Sequence, residues 1–301
     1  MIAIVCHDAG GAELLSSWVR SSSDSYCFVL EGPAVAIFKR KLGNIQLTAL
    51  EDAVERCDWV LCGTSWQSDL ERRAIALSIR AGKHVVAFLD HWTNYRERFL
   101  ERGAVVMPNE IWVGDKYAEK IAREVFPAIP LALKPNPYFE DLLREINNIG
   151  SQTKASEQRT VLYVCEPIRE HAFVQHGDER YWGYTEEDAL RFFLDNLHAI
   201  DCAVSAITLR PHPSESHSKY EWAERYTSSP VRLGGAKTLL EEIMAADVIV
   251  GCESMAMVVG LLGNKRVVSS IPPGGRDCSL PQKEIESLQE LVAAQQRVLN
   301  A

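Results

Sequence analysis

Short apolar runs alternate with amphipathic segments along most of the chain, and this alternation constrains the fold more than any other feature. The first half contains five runs typical of buried strands, at 2–6, 26–30, 59–62, 84–89 and 110–113. Segments of helical periodicity separate or follow them, at 12–20, 34–42, 69–81 and 117–125. Because parallel strands need a long crossover, this order predicts βαβ units. The first half is therefore predicted to be one doubly wound α/β domain.

The alternation restarts after a polar stretch in the middle of the chain. Residues 147–154 are rich in Asn, Ser and Gln and contain a glycine, a composition typical of a linker. After them, strands are predicted at 160–164, 206–209, 248–250 and 266–269, and helices at 185–198, 239–245 and 255–262. The predicted organisation is a first domain at 1–142, a linker at 143–158, a second domain at 159–282 and a closing helix at 283–301.

Composition excludes several classes of protein. A chain of 301 residues is long enough for two hydrophobic cores. The net charge is −9 and no block of Lys and Arg is interleaved with aromatic residues, so nucleic acid is not an expected partner. The eight cysteines form no C-x-x-C pair, which indicates buried thiols in a reducing compartment. No signal peptide or membrane-spanning stretch is visible, so a cytoplasmic protein is predicted. Peripheral contact with the inner face of a membrane stays open.

Two strand ends of the second half carry residues suited to phosphate. One strand ends in Arg210-Pro211-His212-Pro213, and the strand at 248–250 is followed by a glycine and then Glu253-Ser254-Met255. A turn that opens a helix offers free backbone N–H groups and the positive end of the helix dipole. Arg210 and His212 are predicted to add positive charge, with Arg169 as a further contact or a surface charge. Glu253 is predicted to reach a ribose hydroxyl, and Arg276 to close over the ligand.

The first strand is followed by a loop that combines acids and glycines. Asp8 is predicted to be a general base, with His7 and Glu13 as alternatives from the same loop. Gly10 and Gly11 would let a substrate approach the backbone, although the loop lacks the third glycine of a dinucleotide fingerprint. The alternative is purely structural: a glycine turn in which Asp8 caps the first helix.

The densest polar and aromatic cluster follows the strand at 84–89. Aromatic rings could stack on a sugar while the polar side chains bind its hydroxyls, and the alternative is a loop whose rings pack on the domain. The predicted substrate contacts in this cluster are Asp90, His91, Trp92, Asn94, Tyr95 and Arg98. The loop at 63–66 is a weaker candidate of the same kind. No metal-ligand pair at helical spacing and no Asp-x-Asp motif occurs, so chemistry without a metal or a cofactor is expected.

Several of these motifs resemble those of a known family. The Arg210–Pro213 segment is similar to the His-Pro motif of bacterial sialyltransferases, polysialyltransferases and related capsule or lipopolysaccharide transferases. Glu253-Ser254 resembles the serine motif that those enzymes place beside the donor phosphate. Residues 245–268 also look like the donor-domain core of the UDP-N-acetylglucosamine 2-epimerases, and 135–142 resembles the segment before the interdomain crossover. The paired-acid-plus-glycine signature of sialyltransferases is absent in its usual form.

The resemblance implies a GT-B fold, with two Rossmann-like doubly wound domains facing a cleft. It also implies a CMP- or UDP-linked sugar donor on the second domain and a glycan or glycolipid acceptor on the first. The predicted function is metal-independent, inverting glycosyl transfer in bacterial surface polysaccharide synthesis. The alternatives are a nucleotide-sugar 2-epimerase or hydrolase of the same fold, and a binding protein without catalysis. A homodimer is also left open.

Overall fold

The chain divides into two compact units, which we call unit 1 (Met1–Asp141) and unit 2 (Leu142–Ala301). The computed structural model describes residues 1–65, 68–101, 103–150, 159–200 and 204–299. Within those ranges, no helix combines the length and apolar character needed to cross a membrane.

Unit 1 is built on a six-stranded sheet whose strands all run parallel. The order across it is β2-β1-β3-β4-β7-β8, and its strands are β1 (Ile2–Cys6), β2 (Tyr26–Leu30), β3 (Trp59–Cys62), β4 (His84–Leu89), β7 (Glu110–Val113) and β8 (Leu131–Leu133). The helices are α1 (Ala9–Ser21), α2 (Gly32–Leu42), α3 (Leu50–Arg56), α4 (Leu70–Arg80), α5 (Lys116–Val125) and α6 (Pro137–Ile149), the last of which continues into unit 2. A 3₁₀ turn (Glu97–Phe99) and a small hairpin of β5 (Leu100–Glu101) and β6 (Ala104–Val105) complete it.

Unit 2 repeats this plan with a second six-stranded parallel sheet. The order is β11-β10-β9-β12-β13-β14, and its strands are β9 (Arg159–Val164), β10 (Val204–Arg210), β11 (Val231–Leu233), β12 (Val248–Gly251), β13 (Arg266–Ser269) and β14 (Ile285–Ser287). The helices are α7 (Ile168–His176), α8 (Glu186–Asp195), α9 (Leu197–Ile200), α10 (Leu239–Ala245), α11 (Met255–Leu262) and α12 (Leu288–Leu299), with a 3₁₀ helix at His217–Arg225.

Each sheet contains one point at which the strand order reverses. In unit 1 the chain passes from β1 to β2 on one side and then returns to β3 on the other. In unit 2 the chain leaves β9 for β10 and β11 and then returns to β12. The loops after the two strands flanking such a point diverge, and ligands of doubly wound folds bind in the crevice between them. The loops after β1 and β3, and after β9 and β12, are therefore the first places to look for a site.

Both cores follow from the apolar runs in the sequence. All five side chains of β1 are buried, as expected for a strand covered on both faces. In unit 1, Trp18, Phe88 and Trp112 form an aromatic cluster, in which the Trp18 and Trp112 rings lie 5.0 Å apart. In unit 2, Tyr163 and Phe193 pack at 5.1 Å between the sheet and α8. These cores hold the loops at the carboxyl ends of the strands on a rigid base.

The predicted fold class is confirmed, and the differences lie in the connections. Residues 143–149, assigned to the linker, continue α6, because Leu142 and Ile146 repeat at helical spacing and are both buried. The rest of the predicted linker, 151–158, lies outside the described residues. The closing segment begins with β14 before α12, and the helix predicted at 185–198 ends at Asp195 and resumes as α9. Helices α3 and α7 were not predicted.

Candidate functional site

The carboxylate of Asp8 lies at the crevice of unit 1, directly after β1. Its Oδ1 atom is 2.9 Å from Nδ1 of His7 and accepts a hydrogen bond of 2.8 Å from the Ser65 hydroxyl, which follows β3. Asp8 occupies the N-cap position of α1, yet within the described residues its side chain makes no capping bond. Asp8 therefore does not cap the first helix, which was the structural alternative. Its side chain instead joins the loops after β1 and β3.

The ring of His7 is fixed in orientation by contacts on both sides. Because a carboxylate only accepts, the proton of a neutral His7 is on Nδ1, facing Asp8. The other nitrogen faces Gly32, where an added Cβ would lie only 2.6 Å from Nε2. Gly32 also has φ +52°, which favours glycine. Gly32, the first residue of α2, thus packs against the His7 ring and restricts it to one orientation.

A buried acid, Glu71, contacts the backbone of His7 beside this pair. The Glu71 side chain is 2% exposed, and its Oε1 accepts the backbone N–H of His7 at 2.7 Å. Among the described residues, its Oε2 has no hydrogen-bond partner. Burial raises the pKa of Glu71 to about 7. Sequence reasoning missed this residue, since a glutamate in the first turn of a helix usually faces water.

Asp90 and Arg98 form a buried ion pair in the loop after β4. The two side chains are 9% and 6% exposed, with Arg98 Nη1 2.9 Å from Asp90 Oδ1. Arg98 also donates to the Thr64 hydroxyl at 2.7 Å and to the Thr93 carbonyl at 3.1 Å. The guanidinium therefore ties the loop after β4 to the loop after β3. Both residues were predicted to bind an acceptor, but Arg98 is occupied by the protein itself.

The aromatic residues of the same loop differ from their predicted role. Trp92 is 5% exposed and donates to Asp115 at 2.9 Å, while Tyr95 is 4% exposed and its ring stacks on Phe126. Neither ring is available to stack on a sugar, because both pack on the domain. Asn94 has φ +56° and serves the turn. His91 packs beside Trp92, with Nδ1 3.1 Å from the Thr93 hydroxyl.

Three further predicted residues of unit 1 have structural partners. The carboxylate of Glu13 faces α2, where it pairs with Lys41 at 2.7 Å and with Arg40, rather than joining Asp8. A side chain on Gly10 would overlap the Asp90 carboxylate. A Cβ on Gly11 would lie 3.2 Å from the Cys6 sulfur. The two glycines therefore admit protein groups close to the backbone, not a substrate. In the loop at 63–66, Trp66 lies outside the described residues.

Two histidines meet at the carboxyl edge of unit 2. His171 on α7 and His212 after β10 have their rings 6.4 Å apart and nearly perpendicular. The backbone N–H of Ser214 donates to Nδ1 of His212 at 3.2 Å, so a neutral His212 carries its proton on Nε2. Burial lowers the pKa of both histidines. The pair therefore offers hydrogen-bond donors rather than the positive charge predicted for His212.

The two predicted arginines of unit 2 are paired with acids. Arg210 Nη1 lies 2.7 Å from the Glu242 carboxylate and donates to the Lys237 carbonyl. Arg169 is 3.5 Å from Glu186, which also accepts the Arg169 backbone N–H at 2.9 Å. Neither guanidinium is an uncommitted positive charge, and this differs from the predicted phosphate contacts. These ion pairs cannot be recognised from the sequence, because the two partners of each pair are more than 15 residues apart in the chain.

The turn that precedes α11 already binds an anionic group of the protein. Glu166 Oε1 accepts the backbone N–H groups of Cys252 and Glu253, at 2.8 and 2.9 Å. Burial raises the pKa of Glu166 to about 7, and these N–H bonds act in the opposite direction. The N–H groups expected to bind a phosphate are therefore occupied. Glu166 was not predicted as a site residue, although it lies only two residues after the first strand of the domain.

The neighbouring predicted residues secure this turn. Glu253 pairs with Arg276 and accepts the backbone N–H of Ser279 at 3.2 Å, so its carboxylate anchors the loop after β13 rather than a ribose. The Arg276 guanidinium lies 3.9 Å from the ring of Trp182. Ser254 is the N-cap of α11, where its Oγ accepts the backbone N–H of Ala256, and Met255 is the first residue of the helix. The Ser254 hydroxyl keeps its own proton to donate. Across the described ranges, no three His, Cys, Asp or Glu side chains are grouped to hold a metal.

Comparison with known proteins concerns the fold alone. No family model and no curated protein matches the sequence. The UDP-GlcNAc 2-epimerase from Methanocaldococcus jannaschii is similar with a TM-score of 0.63 at 10% identity, over 100% of this chain and 93% of that one. A putative UDP-N-acetylglucosamine 2-epimerase from Listeria monocytogenes gives 0.60 at 9% identity, over 100% and 88%. MurG from Acinetobacter baumannii gives 0.53 at 9% identity, over 99% and 90%.

The chain has the fold of these proteins. The likeness covers nearly the whole length of each, and it confirms the two Rossmann-like doubly wound domains expected from the sequence. At about a tenth of residues identical, it carries no residue-by-residue assignment. The resemblance of Arg210–Pro213 to a His-Pro motif stays a prediction.

Proposed function

We propose that the protein is a glycosyltransferase that moves a sugar from a nucleotide-activated donor to an acceptor hydroxyl. In this proposal unit 2 binds the donor and unit 1 carries the general base. The observation that supports it best is the Asp8 carboxylate, held between His7 and Ser65 at the strand-order reversal of unit 1. A fold shared with enzymes named for UDP-linked sugars adds support.

The chemistry assigns one task to each group in unit 1. Asp8 takes the proton of the acceptor hydroxyl while the oxygen attacks the anomeric carbon, and the bond from that carbon to the donor phosphate breaks. The nucleotide leaves with the electron pair of that bond. The Nδ1–H of His7 and the Ser65 hydroxyl both donate to Oδ1, and this orients the carboxylate and leaves Oδ2 to act as the base.

In this proposal the phosphate of the sugar nucleotide accepts hydrogen bonds from side chains of unit 2. The Nε2–H of His212 and the hydroxyl of Ser254 lie on the loops after β10 and β12, and the neighbouring His171 lies on α7, which follows β9, the strand between them. Hydrogen bonds to the departing phosphate stabilise the charge that develops in the transition state. The proposal extends to a CMP- or UDP-linked donor, a glycan or glycolipid acceptor and inversion at the anomeric carbon. It also includes transfer without a metal, at the inner face of a bacterial membrane.

A two-step experiment tests this function. Calorimetric titration with CMP, UDP, GDP, ADP and CDP first identifies the nucleotide, since a ligand that binds the folded state gives heat and raises its stability. The matching sugar nucleotide is then incubated with candidate acceptors, and products are separated by mass spectrometry. A glycosylated acceptor that disappears with Asp8→Asn supports the proposal. Absence of binding by all five nucleotides contradicts it.

A second candidate is a nucleotide-sugar 2-epimerase or hydrolase. Two similar structures, with TM-scores of 0.63 and 0.60, are named as UDP-N-acetylglucosamine 2-epimerases, one of them putatively. Incubation with the sugar nucleotide alone separates the two functions, because only the epimerase or hydrolase changes the donor without an acceptor. An epimer or a free sugar in that reaction favours the second candidate. Nucleotide binding without any turnover would indicate a binding protein.

A further inference from the structure

The guanidinium of Arg72 is a buried cation that has no acidic partner among the described residues. Arg72 is 8% exposed, and its Nη1 donates to two main-chain carbonyls, at 2.9 Å to Ser65 and at 3.4 Å to Arg98. These carbonyls supply hydrogen bonds but no negative charge. Because arginine is almost never buried without a partner for its charge, this arrangement is electrostatically unfavourable for the protein alone.

Two nitrogens of this guanidinium make no hydrogen bond within the described part of the chain. Nε is fully buried, whereas Nη2 keeps contact with solvent. Nη2 is therefore the donor that stays available to a ligand. The planar guanidinium presents its N–H groups in a fixed fork, and this geometry suits the paired oxygens of a carboxylate or a phosphate.

The position of Arg72 in α4 adds to the electrostatic cost. Arg72 is the third residue of α4, which begins at Leu70. The first turn of a helix is the positive end of its dipole, so a cation is disfavoured there and an anion is favoured. Neither the burial of Arg72 nor its place in the helix therefore explains an unpaired positive charge, whereas a bound anion would compensate for both.

Arg72 and the proposed general base contact the same residue. The Ser65 carbonyl accepts the bond from Arg72, and the Ser65 hydroxyl donates to Asp8. Arg98, whose carbonyl is the second acceptor, has its own charge paired with Asp90. Arg72 therefore brings an uncompensated positive charge to the loop that also holds Asp8.

We propose that Arg72 is a specificity-determining residue that selects an acceptor sugar with an anionic group, a carboxylate or a phosphate. Nη2 of Arg72 binds the anionic group, and a hydroxyl of the same sugar is presented to Asp8. The assignment to the acceptor rests on the proposed function. The binding of an anion depends only on Arg72 and the loops around it, so the two can be tested separately.

Calorimetric titration of three monosaccharides into the full chain at pH 8 tests this inference. Glucuronate carries a carboxylate, glucose 6-phosphate carries a phosphate, and methyl glucoside is uncharged. We expect at least one of the two anionic sugars to bind about ten- to a hundredfold more tightly than methyl glucoside, the range of a hydrogen bond between charged groups. The anionic sugar that binds more tightly identifies the group. Arg72→Gln keeps an N–H donor without the charge, and it should bind all three sugars alike.

The control is Arg73→Gln, which changes the net charge by the same amount at the next, exposed position of α4. This variant should keep the preference of the native protein for an anionic sugar. If Arg72 only held the Ser65 loop in place, Arg72→Gln would weaken the binding of all three sugars equally, and that result overturns the inference. Equal binding of charged and neutral sugars by the native protein overturns it too, as does an equal loss of preference in Arg73→Gln.

Hydrogen exchange in the native protein provides a second measurement that does not depend on the folding of a variant. The anionic sugar should protect the peptide that spans residues 68–80, and protection confined to other peptides overturns the inference. Nucleotide binding is judged on its own. A preference for anionic sugars that disappears in Arg72→Gln, in a protein that binds no nucleotide, would retain the anion site and contradict the proposed transfer reaction.

Discussion

The Ser65 hydroxyl donates a hydrogen bond of 2.8 Å to the Asp8 carboxylate, and this bond joins the loops after β1 and β3. These strands are neighbours in the sheet although more than 50 residues separate them in the chain. The bond therefore forms at the one place in unit 1 where the strand order reverses. It also fixes which oxygen of Asp8 is committed to the protein.

Replacing the proposed base should abolish turnover and spare binding. Removal of a general base commonly reduces the rate by about 10²–10⁴-fold. For Asp8→Asn we expect kcat to fall within that range, while nucleotide affinity measured by calorimetry stays unchanged because the proposed donor site is in unit 2. The matched control is Asp24→Asn, an exposed acid of the same unit. Near-normal kcat in Asp8→Asn would transfer the role to His7.

Removing the Ser65 hydroxyl tests orientation rather than proton transfer. A hydrogen bond to a charged group contributes about 1.5–3 kcal/mol, so Ser65→Ala should lower kcat by roughly ten- to a hundredfold. Ser21→Ala, on the exposed end of α1, provides the control. A kcat identical to that of the native protein would show that Ser65 serves the loop alone.

His212 should behave as a neutral donor. Since burial lowers its pKa, the ring is expected to be uncharged near pH 7, and a hydrogen bond from this neutral ring to a charged phosphate is worth about 1.5–3 kcal/mol. His212→Ala is therefore expected to weaken nucleotide binding by roughly ten- to a hundredfold, and His212→Gln, which retains an N–H donor, by less. Calorimetric affinities of both variants check this, with the exposed His198→Ala as control. Unchanged nucleotide affinity in His212→Ala would contradict its contact with the phosphate.

The Asp90–Arg98 pair should make a large contribution to stability. Removing one partner of a buried pair leaves an uncompensated charge and typically costs about 3–5 kcal/mol. Arg98→Ala is expected to lower the melting temperature of unit 1 clearly, whereas Arg96→Ala, an exposed neighbour, should change it little. Thermal unfolding followed by circular dichroism makes the comparison. Equal melting temperatures in the two variants would contradict the structural role of Arg98.

Because Glu71 is buried, we expect the stability of the folded state to depend on pH in a definite direction. Its pKa is raised from 4.5 to about 7, so between these values the folded state binds more protons than the unfolded state. The free energy of unfolding therefore falls by about 3 kcal/mol in total as the pH rises from about 4.5 to about 7. Glu71→Gln keeps an acceptor for the His7 N–H and should remove that slope. Melting temperatures from pH 5 to 9 test it, with the exposed Glu51→Gln as control. A slope retained in Glu71→Gln would place the titrating group elsewhere.

The sequence predicted the sheets well and the site only in part. Strands such as β1, β3 and β12 are short apolar runs whose burial follows from composition, and strand ends locate the loops that matter. What the sequence could not give is the partner of each charged side chain. Arg210, Glu13 and Glu253 all read as potential ligand contacts, yet each is paired with a residue distant in sequence. Glu71 and Glu166 read as ordinary acids because their burial depends on how the loops pack.

The Asp90 carboxylate lies so close to the backbone at Gly10 that the residue at position 10 limits where this carboxylate can lie. No side chain fits at residue 10 while the Asp90 carboxylate lies where it does. A side chain at position 10 therefore requires the Asp90 carboxylate to move. In relatives of this protein, a side chain larger than glycine at position 10 should occur together with a shorter residue at 90 or a relocated loop after β4. Sequence covariation between these positions, about 80 residues apart, would record the contact without any structure.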